Sequence, residues 1–404
     1  MKSPLAAYGA LSGTYFAAVG LFNPYAPLWF QSLGYSTLMI GAIASLQSWT
    51  RVFAPYAWGW LGDHRGRRVG LIRLACAGAL AAALGLLGVR EAVPVALVTA
   101  LLFLANGGVV PLYEATLAQL LNTPTGVDPK RYGRVRVWGS VGFLVSVTAF
   151  GALLERVGIA VFPVFVAAVN ALLLLAALRL PATQDEVTQE EPAPPVLGLL
   201  RQPAVAWFFA SVFFTVLAHT SLYSFFSLYL VHLGFGKTAV GALWAVSVAV
   251  EIVFFWFQGR WFSKLSAHGW LKLAAVATVL RFLAVGLAGV GWGLPAAAVL
   301  ALLVLSQLAH AITFAGHHSA CIQLVQRYFP GRLRGRGQAL YTTLGYGISG
   351  VVGGVGGGWL VDAAGFTTLF GAAALAGLLA WGCAWRAAEF ANKGAGKSAV
   401  VPDS

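Results

Sequence analysis

Four charged side chains stand inside long apolar stretches of the sequence, and they are the first candidates for chemistry: Arg51, Glu114, Glu251 and Arg281. Arg136 lies near the end of another apolar stretch. A charge at the centre of a bilayer costs roughly 2.5–3.5 kcal/mol on insertion scales, so each is expected to face a partner or water. Two acids and two or three bases nearly balance, which predicts a paired network around a polar cavity. The alternative is a set of ion pairs that only lock helices together, and it applies most to Arg51 and Arg281.

A second set of polar residues recurs at helical spacing within one apolar stretch: Ser306, His310, Thr313, His317 and Cys321. This spacing places them on one helix face. A neutral histidine on such a face can bind a solute by hydrogen bonding and take part in proton transfer. Two histidines seven residues apart are roughly 10 Å apart along a helix axis, too far for one ion. The pattern therefore predicts no metal site, and no cofactor is expected.

The composition indicates that these residues belong to a membrane protein. Hydrophobic residues make up 59% of the 404 residues and charged residues only 10%, against about 25% charged in ordinary soluble chains. A lipid bilayer is the solvent that makes such a composition stable. The net charge of +13 comes from short basic clusters between apolar runs. Because no basic face is long enough to follow a phosphate backbone, a nucleic-acid partner is not expected.

Twelve apolar stretches predict twelve transmembrane helices in an all-α fold. A polar, proline-rich linker is predicted at 181–203, between an N-terminal six-helix bundle at 1–180 and a C-terminal one at 204–390. Residues 391–404 are expected to form a disordered cytoplasmic tail. The predicted helices lie near 5–31, 36–61, 69–89, 94–121, 133–155, 158–179, 204–232, 238–260, 270–290, 294–326, 337–362 and 365–387.

Basic residues predict the orientation of these helices. All but five of the 26 Lys and Arg residues fall on the side that also holds both termini. By the positive-inside rule that side is cytoplasmic. We expect a multi-pass protein of a plasma membrane, the inner membrane of a bacterium, with both termini in the cytoplasm.

An internal repeat relates the two halves. Residues 33–35 and 40–42 match residues 233–235 and 240–242 at an offset of 200. The shared register over a helix pair predicts two parallel six-helix halves, related by an axis along the membrane normal.

The loop after the second stretch carries a motif: Gly59, Asp63, Gly66, Arg67 and Arg68, with His64 beside Asp63. We expect Gly59 to allow close helix approach, Asp63 to cap a helix or pair with cations, and the two arginines to hold the loop in the cytoplasm. This pattern resembles the signature gating loop of the major facilitator superfamily, in which His64 replaces the usual arginine. The resemblance implies two pseudo-symmetric six-helix bundles that transport a solute by alternating access, and we expect a monomer.

Further motifs resemble the lactose-permease type of oligosaccharide:proton symporters, at residues 23–29, 111–115 and 132–143. The match implies a substrate-binding acid–arginine pair at Glu114 and Arg136. It implies a ring-stacking role for Phe143, in the motif that contains Ser140. Glu251 and His310 take the places of that family's substrate glutamate and coupling histidine, and Arg281 resembles its arginine on the ninth helix.

The chain departs from those symporters at Thr313, where they carry the glutamate linked to proton translocation. Residues 307–314 and 337–341 look more like the phenylpropionate-permease family, a sister group in the same superfamily. With Thr313 in place of the acid, Glu251 is expected to carry the proton, and Glu114 is the alternative.

These patterns predict a proton-coupled secondary transporter, a symporter of a small organic solute, and not an enzyme. The resemblance to phenylpropionate permeases implies an aromatic carboxylate as solute, with Arg51, Arg136 or Arg281 as counter-ion. The resemblance to the oligosaccharide symporters implies instead a saccharide or nucleoside stacked on Phe143. Proton-driven efflux of amphipathic compounds is the alternative within transport. A receptor or scaffold is the alternative outside it.

Overall fold

Twelve long helices make up nearly all of the computed structural model, which describes residues 4–123, 126–181, 196–290 and 293–398. The helices in the described residues are α1 (Pro4–Ser32), α2 (Thr37–Arg65), α3 (Arg68–Gly85), α4 (Ala92–Leu120), α5 (Pro129–Val157), α6 (Ile159–Leu178), α7 (Pro203–His232), α8 (Lys237–Trp261), α9 (Ala267–Leu287), α10 (Ala296–Tyr328), α11 (331–364) and α12 (366–398). A two-stranded antiparallel ribbon, Asn122–Thr123 with Gly126–Val127, follows α4. A short helix, Leu197–Leu200, precedes α7.

Ten helical stretches of the described residues are long and apolar enough to cross a membrane. One of them spans 63 residues and is divided by Gly365, whose φ of 80° lies outside the helical region, into α11 and α12. The remaining helix is α2, which has 29 residues but contains several polar and charged ones, Arg51 and Asp63 among them. The predicted number of helices is therefore confirmed.

Side-chain caps mark where several helices begin. The Ser36 hydroxyl accepts a hydrogen bond from the amide of Met39 at the start of α2. The Asp128 carboxylate accepts from two amides at the start of α5. Both satisfy amides that have no partner within their own helix.

The chain divides into two compact units. Unit 1 comprises 1–190 together with 223–245, and unit 2 comprises 191–222 together with 246–404. In unit 1, α1 packs along α5 so closely that a Cβ at Gly142 would lie 2.1 Å from the carbonyl oxygen of Gly13. Each unit has its own apolar core.

Two predicted regions need comment. The predicted linker lies largely outside the described residues, at 182–195. The expectation of a disordered tail from residue 391 is wrong for its first part, because α12 continues to Ser398. Residues 399–404 lie outside the described residues.

Three helices depart from regular α geometry. In α10, Ala311–Gly316 is π-helical, and in α11 the same holds for Tyr341–Ile348. In α4, the regular pattern of backbone hydrogen bonds is interrupted at Gly107 and Gly108, between Ala92–Asn106 and Val109–Leu120. Such interruptions are frequent at functional sites.

Candidate functional site

Unit 2 contains a buried polar network centred on Arg281 of α9, whose exposed fraction is 2%. Its guanidinium donates from Nη1 to the Thr313 hydroxyl at 2.9 Å and contacts Nδ1 of His310 at 3.1 Å. Nη2 donates to Oε1 of Gln307 at 3.2 Å. All three partners are on α10, so Arg281 joins α9 to α10 at the start of the π-helical stretch.

The ring of His310 connects this arginine to Glu251. A guanidinium only donates hydrogen bonds, so Nδ1 of His310 must be the acceptor in that contact. The ring proton then lies on Nε2, which is 3.4 Å from Oε2 of Glu251 on α8. A neutral His310 therefore accepts from Arg281 and donates toward Glu251, so the charged ends of the network are linked through one imidazole.

The amide of Gln307 holds a further part of the network. Its Oε1 also accepts from the hydroxyl of Ser247 at 2.5 Å, and its Nε2 donates to Ser306 at 2.8 Å. Sequence reasoning missed Gln307 and Ser247. The signal that could have identified Gln307 is its side-chain amide within an apolar stretch, since an unsatisfied amide is costly in lipid.

His219 of α7 is a second residue that sequence reasoning missed. It is 3% exposed, its Nδ1 lies 2.8 Å from the carbonyl of Thr215, and its ring meets the edge of Phe282. A second buried imidazole therefore lies against Phe282, the residue that follows Arg281 on α9.

The structure does not bring His317 into this network. Its ring contacts Sγ of Cys321 at 3.5 Å, one turn further along α10. All five residues of the predicted face, from 306 to 321, are buried. The π-helical stretch at Ala311–Gly316 lies between His310 and His317. His310 and Thr313 keep the predicted association, and His317 does not.

Unit 1 holds the other predicted pair, but with different partners. The Glu114 carboxylate on α4 accepts a hydrogen bond from the Tyr132 hydroxyl at 2.7 Å. The Arg136 guanidinium lies over the ring of Phe16, 4.6 Å from its centroid. Among the ion pairs of the described residues, none joins Glu114 to Arg136, so their predicted direct pairing is replaced by contacts with aromatic residues. All four side chains are half-buried.

Three further predicted residues of unit 1 are Phe143, Ser140 and Arg51. Phe143 on α5 packs against Gly20 of α1, where a Cβ would lie 2.8 Å from the Phe143 carbonyl oxygen. Ser140 lies one turn after Arg136 and is half-buried. Arg51 is exposed on α2. The structure thus leaves Arg51 at the surface of its unit, whereas Phe143 and Arg136 both contact α1.

The gating loop has a defined geometry. The Asp63 carboxylate pairs with Nη2 of Arg68 at 2.7 Å, across the turn between α2 and α3. Gly66 adopts the left-handed conformation (φ 57°) that ends α2, and Arg67 is the exposed N-cap of α3. The expectation of close approach at Gly59 is wrong in this structure, since no described atom lies within 4 Å of a Cβ built there. Close approach occurs instead at Gly62, where a Cβ would lie 2.8 Å from Leu112.

Metal binding has no support in the described residues. No group of three or more His, Cys, Asp and Glu side chains in 4–123, 126–181, 196–290 and 293–398 is arranged to hold a metal ion.

Comparison with known proteins gives this arrangement a context. The chain is 27% identical to a protein of Escherichia coli (strain K12) named "Probable 3-phenylpropionic acid transporter". The match covers 83% of this chain and 86% of that one. The chain is also 28% identical to the maltose permease of Geobacillus stearothermophilus, over 86% of this chain and 85% of that one.

Solved structures show the same fold. A mutant of the nucleoside transporter NupG superposes with a TM-score of 0.83 at 18% identity, covering 95% of this chain and all of that one. A bacterial homologue of the human lysosomal transporter Spinster gives a TM-score of 0.70 at 13% identity, covering 96% of each chain. The major facilitator fold, with two six-helix bundles, is therefore confirmed.

The profile of the MFS_1 like family matches residues 10–372. Together with the transporters named above, this match confirms the resemblance inferred from the gating loop. The protein is a multi-pass membrane protein and a secondary transporter of the major facilitator type, and the chain belongs to the MFS_1 like family.

Proposed function

We propose that this transporter is a proton-coupled symporter that imports a small aromatic carboxylate. The observation that carries the proposal is the buried network in which Glu251, His310 and Arg281 are connected in series. A carboxylate that gains or loses one proton in such a setting changes the charge of the whole network, and this change can be linked to solute binding.

Glu251 is the proton carrier in this proposal, and His310 connects it to Arg281. Because the guanidinium donates to Nδ1, His310 cannot accept a second proton there without losing its contact with Arg281. The Glu251 carboxylate has no such restriction. Proton binding to Glu251 neutralises the acid, weakens its attraction to the Nε2–H of His310, and makes the net charge of the network more positive by one.

Arg136 is the proposed counter-ion for the solute carboxylate. Arg281 is buried and already donates to three acceptors, which makes it a poor choice. Arg136 is half-buried, and its guanidinium rests on the Phe16 ring. A cationic group held against an aromatic ring suits an aryl acid, since the carboxylate meets the guanidinium and the aryl group meets the ring. The name of the Escherichia coli relative agrees with this class of solute.

A saccharide or nucleoside is the second candidate solute, and the Glu114–Tyr132 pair favours it. The Tyr132 hydroxyl donates to the Glu114 carboxylate at 2.7 Å, and the remaining lone pairs of both groups can accept hydrogen bonds from solute hydroxyl groups. The maltose permease and the nucleoside transporter NupG are relatives with names of this kind.

The proposal includes a location and an orientation. The protein acts in a bacterial inner membrane as a monomer, with the gating loop and both termini in the cytoplasm. The basic residues of that loop support this orientation.

The test is uptake by proteoliposomes that contain the purified protein. The wild-type protein is expected to accumulate labelled 3-phenylpropionate when the outside is made acidic, and to exchange internal for external solute without a gradient. Glu251→Gln, which mimics a permanently protonated acid, should abolish accumulation and keep exchange. Glu114→Gln is the matched control, because it alters an acid of unit 1 and should keep accumulation.

Two outcomes contradict this assignment. Accumulation by the Glu251→Gln variant shows that another group carries the proton, and loss of accumulation only in Glu114→Gln moves that role to unit 1. Solute efflux driven by the same gradient in the wild-type protein contradicts import and favours an antiporter.

A further inference from the structure

A small cavity lies inside unit 1, between α1, α2, α4 and α6, and has a volume of about 40 Å³. Its lining residues include four with side-chain amides, Asn23, Gln47, Asn106 and Asn170, together with Tyr15. Phe22 and Phe103 supply aromatic surface. No charged side chain of the described residues lines it, and neither Glu114 nor Arg136 does.

Two amide oxygens in this lining have no hydrogen-bond donor. Oδ1 of Asn170 and Oδ1 of Asn106 are both buried and without a partner. Asn170 is only 2% exposed, and its Nδ2 is already used by the carbonyl of Val166 at 2.8 Å. An acceptor buried without a donor costs about 1–3 kcal/mol. These two oxygens therefore indicate a missing donor.

Helix-to-helix bonding accounts for only part of this amide cluster. Nε2 of Gln47 donates to Oδ1 of Asn23 at 3.4 Å, which joins α2 to α1. Polar side chains often join membrane helices in this way. The oxygens of Asn106 and Asn170 make no such bond, so structural bonding does not explain them.

The interruption in α4 supports the position of Asn106. Asn106 is the last residue before the break at Gly107 and Gly108. The amide of Gly108 bonds to the carbonyl of Ala105, three residues back, and the carbonyl of Leu104 accepts from the indole of Trp58 at 2.9 Å instead. The break is thus held by a side chain of α2, and it places the Asn106 amide at the cavity.

The size and chemistry of the cavity limit what fits. A buried water needs roughly 10–15 Å³ on this measure, so the cavity holds two or three waters or one hydroxyl-bearing edge of a ring. Because the unused groups are acceptors, the occupant must donate hydrogen bonds. Because the described lining is uncharged, the occupant is neutral at that end, since an ion there would be uncompensated.

Tyr15 connects the cavity to the proposed solute site. Its ring meets the ring of Phe16 edge to face, with centroids 5.3 Å apart, and Phe16 carries Arg136 on its face. Tyr15 therefore lies at the cavity and also beside the ring on which Arg136 rests.

We infer that the amide cavity of unit 1 is a binding subsite for a hydroxyl group of the transported solute. The inference rests on the proposed function only in that a small organic solute is transported, and it does not depend on proton coupling. Asn106 and Asn170 accept hydrogen bonds from the solute hydroxyl, and the protein selects hydroxylated solutes over analogues that lack that group.

The experiment compares 3-(4-hydroxyphenyl)propionate with 3-phenylpropionate as substrates of the protein in proteoliposomes. The wild-type protein is expected to take up the hydroxylated acid with a half-saturation concentration roughly three- to tenfold lower, as expected for one neutral hydrogen bond. Asn170→Leu and, independently, Asn106→Leu should remove this preference while uptake of 3-phenylpropionate continues. Uridine and 2′-deoxyuridine provide the same comparison for the second candidate solute.

Thr99→Val is the matched control. Thr99 is also on α4, is fully buried and has an unpartnered hydroxyl, but it does not line the cavity. This variant removes a buried polar group of unit 1 and should keep the preference. The preference is a ratio within one preparation, so a reduced yield of folded variant does not change it.

Two results overturn the inference. A wild-type protein that does not distinguish the paired compounds has a cavity that holds only water. A preference that persists in both asparagine variants places hydroxyl recognition elsewhere. If the wild-type protein transports none of these compounds, the proposed solute classes fail, and the subsite fails with them.

Discussion

The charged clusters of the two units differ in how fully their charges are enclosed. In unit 2, Arg281 is 2% exposed and donates to three side chains of one helix. In unit 1, Arg136 is half-buried and rests on one aromatic ring, while Glu114 accepts from one tyrosine. The charges were expected to form one paired network. Arg281 and Glu251 are linked through His310, whereas Glu114 and Arg136 contact aromatic residues.

This difference separates two tasks of a coupled transporter. A buried guanidinium whose two Nη atoms already contact three side chains has little left to offer a solute. A half-buried charge on an aromatic surface keeps donors available. The comparison therefore supports the proposal that unit 2 carries proton coupling and unit 1 recognises the solute.

The largest expected effect is on stability, and the same substitution in each unit tests it. Arg281→Met removes the donor for three buried acceptors, and we expect the free energy of unfolding to fall by about 3 kcal/mol or more. Arg136→Met should cost less than about 1 kcal/mol, since its charge is half-exposed. Unfolding of the purified variants in detergent, followed by tryptophan fluorescence, measures both. Equal losses would remove the distinction between the units.

A smaller effect is expected on solute affinity. Arg136→Gln removes a charge-assisted hydrogen bond to the solute carboxylate, worth about 1.5–3 kcal/mol, so the KM for 3-phenylpropionate should rise roughly 10- to 100-fold. Arg134→Gln, at an exposed position two residues earlier on α5, should leave it unchanged. Initial rates of uptake over a range of concentrations measure both. A similar rise in the Arg134 variant would show that the effect is only one of surface charge.

Thr313 allows a finer test of unit 2. Thr313→Val keeps the side-chain volume and removes one acceptor of Arg281, so we expect a loss of about 1 kcal/mol in unfolding free energy. Thr116→Val in unit 1 is its control, because that hydroxyl only donates to carbonyls of its own helix. The same detergent assay applies, and a larger loss in the control would show that Thr313 contributes little to holding Arg281.

The smallest effect on stability is expected at the gating loop. Asp63→Asn removes the pair with Arg68, an exposed contact worth about 0–1 kcal/mol. Unfolding should change by no more than that amount, and uptake should slow severalfold if the loop acts as a gate. Ser263→Ala, at the corresponding position of the second half, should leave the rate unchanged. A rate that falls only in the Ser263 variant would transfer the gating role to the other unit.

Much of the fold could be predicted from the sequence, because a chain segment that crosses lipid as a helix must be long and apolar. Twelve apolar stretches gave the helices, and the offset of 200 residues gave the two halves. The end of α12 was misjudged, since a polar helical extension does not differ in composition from a tail.

The candidate site could be predicted only in part. Charged residues in apolar stretches identified Glu251 and Arg281, because such charges are rare and costly. Three partners were missed, since helix packing brings them in: Gln307 at Arg281, Tyr132 at Glu114 and Phe16 at Arg136. The contact of His317 with Cys321 rather than with the Arg281 network was also missed. Nothing in the spacing of the sequence marked the π-helical stretch that lies between His310 and His317.

That stretch also affects how this chain is compared with its relatives. A π turn contains about one residue more than an α turn. The π-helical stretch Ala311–Gly316 therefore corresponds to an insertion within a helix. A relative whose tenth helix is regular throughout must be aligned to α10 with a gap inside the helix. Without that gap, every residue of α10 after Thr313 is aligned one position away from its structural equivalent in the relative. Residues on corresponding helix faces are then mismatched along the rest of the helix.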